Sequence, residues 1–123
     1  FMVGITNYNN INSNGYAGVI GHSLGGIKIK LSNNDTILIR AHIKNKNWLS
    51  WVNKWDNTND GYAGIKGLDI DGIQIKSSNH VIYYRVHILK GKWLSWINKV
   101  DDTNEGYAGI YGKSIDAIQV YLK

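Results

Sequence analysis

Two spaced pairs, Arg40-x-His42 and Arg85-x-His87, stand 45 residues apart, and each is followed within a dozen residues by Trp-Leu-Ser-Trp. Arginine offers a planar fork for carboxylate or phosphate, and histidine a donor or an acceptor. An indole face is a flat apolar surface on which the C–H face of a sugar ring can stack. The chemistry these types support is recognition. Two readings stay open: Arg, His and Trp meet as a ligand-binding surface, or Arg lies over aromatic rings and His caps a backbone group for structural reasons.

Other chemistries find less support. Asp56-x-Thr58-x-Asp60-Gly61 resembles the start of a calcium loop, yet the third position lacks a carboxylate or amide, and Gly67 stands where a bidentate Glu is required. His22 and His80 are unrepeated, and no His-x-x-x-His pair exists for zinc. Asp71 and Asp116 are repeat-equivalent and two carboxylates at suitable separation serve glycoside hydrolysis, but Gly25 replaces them in the first repeat, and equivalents related by a threefold axis usually lie far apart on separate faces. Ser50 and Ser95 lack a Gly-x-Ser-x-Gly elbow. With no cysteine in the chain, a thiolate nucleophile and a disulfide framework are excluded. The expectation is a protein with no catalytic residues, no metal and no cofactor.

The elements that must position these residues are strands. Val81 to Ile88 alternates apolar and polar side chains, so Ile82, Tyr84, Val86 and Ile88 share a core face while Tyr83, Arg85 and His87 share the other. Residues 36–43 repeat the alternation. Gly-Tyr-Ala-Gly recurs at positions 15, 61 and 106, an almost fixed period that marks one supersecondary unit copied in tandem. A full unit reads as four strands: the Arg-x-His strand, a tight turn at Asn45-Lys46 or Lys90-Gly91, an aromatic strand 48–52 or 93–97, the Gly-Tyr-Ala-Gly strand, and a closing strand 70–75 or 115–120. Three repeats make one domain: 1–31, which lacks the leading strand, then 32–76 and 77–123. Eleven strands in an all-β, antiparallel, pseudo-threefold body are expected, β-prism-like in preference to β-trefoil-like, because a trefoil barrel missing a strand would bare an edge.

The repeat register sorts the aromatics. Trp48 and Trp93 align with Phe1, so an aromatic filler is needed each time and both are expected in the core. Trp51 and Trp96 align with Gly4, and Trp55 with Val100 and Tyr8, which argues against a required core plug. Exposed tryptophans serve binding. The expected ligand-binding set is therefore Arg40, His42, Trp51, Trp55, Arg85, His87 and Trp96, with Tyr62 and Tyr107 of the recurring tetrapeptide presenting hydroxyls at the rim. The tetrapeptide's glycines are expected where φ is positive or where units approach closely.

The net charge of +5 favours polyanionic partners, but the 14 Lys and Arg are scattered singly, so nucleic acid is not expected. No apolar run reaches the roughly 18 residues of a spanning helix, and membrane insertion is not expected either. The chain begins at Phe1 without an initiator Met, which points to a fragment of a longer protein.

Four runs in fixed order, Tyr84-Arg85-Val86-His87, Lys92-Trp93-Leu94-Ser95-Trp96-Ile97, Asn104 to Gly109 and Ser114 to Val120, resemble the C-terminal repeat modules of cell-wall hydrolases from clostridia and their phages. There is a looser similarity to the clostridial hydrophobic repeats with a Trp. This chain has Ser50 and Ser95 where the former modules often carry Pro. The resemblance implies a non-catalytic module, extracellular or wall-associated, that anchors a lytic enzyme to a Gram-positive wall glycan or other polysaccharide and is part of a longer chain with a catalytic domain. A free-standing lectin binding glycans is the nearest alternative, and a protein-interaction module using its Trp-rich face is another.

Overall fold

Alternating side chains in 37–43 and 82–88 require each strand to bury one face and leave the other partly wet. A computed structural model describes residues 2–5, 16–29, 37–53, 62–77, 81–100 and 106–122. Nine strands run through them: β1 Met2–Ile5, β2 Tyr16–Gly18, β3 Gly26–Ile29, β4 Ile37–Ile43, β5 Ala63–Gly64, β6 Ile70–Ser77, β7 Ile82–Ile88, β8 Ala108–Gly109 and β9 Ile115–Leu122. The predicted faces hold in β7, where Ile82, Tyr84, Val86 and Ile88 are buried while Tyr83, Arg85 and His87 are only partly so; in β4 Leu38 and Arg40 follow the pattern but His42 is buried. The fold is all-β, with no helix among the described residues.

The strands form three sheets, ordered β1-β3-β5, β4-β6-β8 and β2-β9-β7. None of them closes into a barrel. Each sheet takes its third strand from another repeat: β5 of the second repeat pairs with β3 of the first, β8 of the third with β6 of the second, and β2 of the first with β9 of the third. The exchange is circular. Gly18, Gly64 and Gly109, each with positive φ, occupy the junctions, and a Cβ on any of them would run into the carbonyl oxygen of Asp116, Gly25 or Asp71 respectively. This is the close approach expected of the tetrapeptide's last glycine.

Two expectations change. The aromatic segments 48–52 and 93–97 do not form continuous strands; their backbones pair with β4 and β7 through isolated bridges, His42–Trp48, Ile39–Val52, His87–Trp93 and Tyr84–Ile97, and through Leu49 N–H donating to Ala41 O and Leu94 N–H to Val86 O. Eleven expected strands thus become nine. The sheets are also not wholly antiparallel, because β1 pairs with β3 in parallel, Met2 opposite Gly26 and Ile5 opposite Ile29. The polarity has a simple cause. In a complete repeat the aromatic segment runs antiparallel to the Arg-x-His strand, which runs antiparallel to the closing strand, so aromatic segment and closing strand share a direction. Where the Arg-x-His strand is missing, the segment aligned with the aromatic one pairs directly with the closing strand and keeps that direction.

The core lies between the sheets and is almost wholly aliphatic, with Leu24, Ile27, Ile70, Ile73, Ile115 and Ile118 fully buried. Leu24, Ile70 and Ile115 are repeat-equivalent and linked by backbone, Leu24 N–H donating to Ile115 O at 2.7 Å and Ile70 N–H to Leu24 O at 3.0 Å. The residues preceding them form a polar cap over this junction. Ser23 Oγ donates to Asp69 Oδ1 at 2.9 Å and Ser114 Oγ to Asp69 Oδ2 at 2.8 Å. The predicted hairpin turns after β4 and β7 are present, with Asn45 and Lys90 in the left-handed region at φ 64° and 61°. Residues 32–35 and 78–80, expected from sequence as turns between repeats, and the polar loop 56–60 lie outside the described residues.

Candidate functional site

The Arg-x-His pairs point outward from β4 and β7, and the closing strands beside them supply their partners. In the sheet of β4, Arg40 lies opposite Gln74 and His42 opposite Gly72. Arg40 Nε donates to Gln74 Oε1 at 2.6 Å, and Gln74 Nε2 donates to the Gly106 carbonyl at 3.0 Å. In the sheet of β7 the same bond joins Arg85 Nε to Gln119 Oε1 at 2.7 Å. A neutral amide thus fixes each guanidinium through Nε. Burial draws the Arg85 guanidinium below the usual arginine value.

The register slips by one residue between His42 and Ile43, and again between His87 and Ile88. The extra residue of each bulge is the aspartate, and a bulge re-aims a side chain. His42 Nδ1 donates to Asp71 Oδ1 at 2.5 Å, and His87 Nδ1 to Asp116 Oδ1 at 2.7 Å. The second oxygen of each carboxylate accepts a backbone N–H from a neighbouring repeat, Gly112 N to Asp71 Oδ2 at 2.7 Å and Gly21 N to Asp116 Oδ2 at 2.9 Å. Both aspartates are fully buried. The carboxylate therefore clasps a histidine of its own repeat to a turn of the next. The histidine capping considered from sequence is real in kind, but its partner is a carboxylate rather than backbone.

Tryptophans flank the arginines. Arg40 Cζ lies 4.9 Å from the ring centroid of Trp48 and 4.8 Å from that of Trp51; Arg85 Cζ lies 4.9 Å from Trp93 and 4.6 Å from Trp96. All four indoles are half-buried. The expectation that Trp48 and Trp93 are core fillers fails: each is bridged to the outward-side histidine of its strand and neither belongs to the core, while Leu49 and Leu94 beside them pack against it. Trp48 and Trp93 instead present their edges to His42 and His87, with centroids 5.2 and 5.3 Å apart. Trp51 and Trp96 are half-buried rather than exposed, and Trp55 lies outside the described residues.

The tetrapeptide tyrosines serve neighbouring repeats. Tyr107 meets Trp48 edge-on at 5.7 Å, and Tyr16 meets Trp93 at the same distance. Tyr62 and Tyr107 are buried, so as whole residues they sit deeper than the rim predicted for their hydroxyls. Tyr107 holds its proton above the ordinary tyrosine range, first because of burial and then because Tyr111 and Asp71 stand close. Sequence reasoning missed Gln74, Gln119, Tyr111 and Tyr121, and missed the structural role of Asp71 and Asp116. One signal was present: Asp-x-x-Gln accompanies Arg-x-His in both complete repeats, whereas the first repeat lacks the strand and carries Gly25 and Lys28 instead.

Among the described residues, no three His, Asp or Glu side chains gather as a metal site would need, and no helix is long and apolar enough to cross a membrane. No family model, curated protein or solved structure matches this chain.

Proposed function

We propose that this chain is a non-catalytic carbohydrate-binding module that holds a bacterial wall hydrolase, outside the cell or at the wall, against the polymer the enzyme cuts. The observation that carries the reading is the pair of half-buried Trp-Arg-Trp stacks, built from repeat-equivalent residues. Each stack combines aromatic surface for a sugar ring with a guanidinium fixed through one nitrogen. Two such faces on one domain of three repeats would gain avidity on a polymer, typically ~10²–10⁴-fold over one face. We read the three sheets as the sides of a prism-like body, which favours separate binding faces.

Sedimentation with purified, protein-free walls tests the proposal. The unaltered protein is expected to be retained, and Trp96→Ala to weaken retention with little change in melting temperature, as its half-exposed ring adds little to the core. Protein that stays in solution with bare walls but binds a protein partner would make this a protein-docking module. Binding to soluble glycans without wall retention would make it a lectin. A large loss of stability in Trp96→Ala would make that indole structural.

A further inference from the structure

The stretch that carries Lys66 differs from its two counterparts. Turns 19–22, 65–68 and 110–113 are equivalent, each closed by a backbone bond between its ends and each with a positive-φ glycine third, as a type II turn requires. The first and last are clasped by Asp116 and Asp71. At 65–68 the clasping position is Gly25, which brings no carboxylate. Beside this turn a cleft of about 420 Å³ opens toward the aromatic segment, lined among others by Leu49, Ser50, Trp51, Tyr62, Ile65 and Lys66. That size falls within the roughly 300–1,000 Å³ of small-molecule sites, as does the mix of apolar wall and few polar groups.

One cation lines it, and two more, outside the lining, stand over its aromatic wall. Lys66 is exposed and lines the cleft. Trp51, the shared wall, carries Lys76 Nζ 4.2 Å and Arg40 Cζ 4.8 Å from its ring centroid. No carboxylate lines the cleft among the described residues. The third repeat does not reproduce this chemistry. Tyr111 stands where Lys66 does and is stacked on His42 with centroids 4.3 Å apart, and Tyr121 replaces Lys76 beside Trp96.

We propose that the cleft is a subsite for a sugar bearing a carboxylate or a phosphate. The ring lies against Trp51, the anion pairs with Lys66, and Lys76 and Arg40 supply the surrounding positive field. The subsite deepens the carbohydrate-binding reading and rests on it.

Tryptophan fluorescence titrations with trigalacturonate, oligo(glycerol phosphate) and neutral chitotriose test the subsite. At least one anionic probe should bind more tightly than chitotriose, and the one that binds better names the anion. Lys66→Gln should weaken that probe about three- to tenfold and reduce its salt dependence, leaving chitotriose unmoved. Both Lys66 and Lys76 are exposed, so Lys66→Gln and Lys76→Gln are expected to fold, which thermal unfolding checks. Absence of anionic binding, or binding by both variants equal to that of the unaltered protein, would overturn the subsite. Wall retention of the unaltered protein, scored in parallel, separates the two failures: retention with a failed titration removes only the subsite, and lost retention removes the carbohydrate reading itself.

Discussion

The outward faces of β4 and β7 share a frame and differ in what surrounds it. Both hold Arg through a glutamine, His through a bulged aspartate, and a guanidinium flanked by two indoles. Around that frame the second-repeat face is cationic and capped, with Lys76 on Trp51 and Tyr111 over His42. The third-repeat face is aromatic and lacks that cap. Tyr121 meets Trp96 edge-on at 4.8 Å and stacks on Tyr83 at 4.9 Å, while Ile20 holds the place of Tyr111. Duplication preserved the buried polar frame, whose loss is expensive, and left the half-exposed flanks to diverge.

The frame should be equally costly to break on either face. Asp71→Ala and Asp116→Ala each leave a histidine Nδ1 without its acceptor and release the N–H of an exposed turn, and each should lose about 1–3 kcal/mol in urea unfolding. A large loss from one and none from the other would end the equivalence. The flanks should respond unequally. Tyr111→Ala removes the stack on His42, the stack on Tyr107 and the acceptor of Trp48 Nε1 at 3.0 Å, and should cost about 1–2 kcal/mol. Ile20→Ala, at an exposed position, should stay within about 0.5 kcal/mol. Equal losses would show that Tyr111 is not a cap.

The smallest effect is one of pH. The folded protein holds Tyr107 above its ordinary value of 10.0, so its contribution to stability is full below that pH. The contribution is lost as pH rises through the higher folded value. Melting temperature should fall from about pH 10 upward, and Tyr107→Phe should flatten that fall.

Much of this was legible in the chain. The repeat fixed the equivalences, and period-two alternation placed Arg40, His42, Arg85 and His87 on the outward face because a strand admits no other arrangement. The tight turns at Asn45 and Lys90 were legible too, though not the left-handed conformation of those two residues. Trp48 was misplaced because aligning it with Phe1 fixes residue type, whereas burial depends on register: Trp48 is bridged to His42 on the outward side, and Leu49 takes the core side. The aspartate clasp was hidden because a bulge leaves the alternation of the partner strand intact. Pairing across repeats was hidden too, since a recurring tetrapeptide does not state which copy it joins.

That circular pairing has a kinetic consequence. The Gly21–Asp116 bond spans 95 residues, and β2 has no partner until β9 exists. Contacts of such separation are slow to form, because the entropy of closing the loop must be met before they reward it. On a ribosome β2 must therefore wait for the last repeat, although β1 and β3 can pair before it. Unlike an open solenoid, which can gain or lose a repeat at either end, this ring completes only at three, so the number of faces it presents is set by closure.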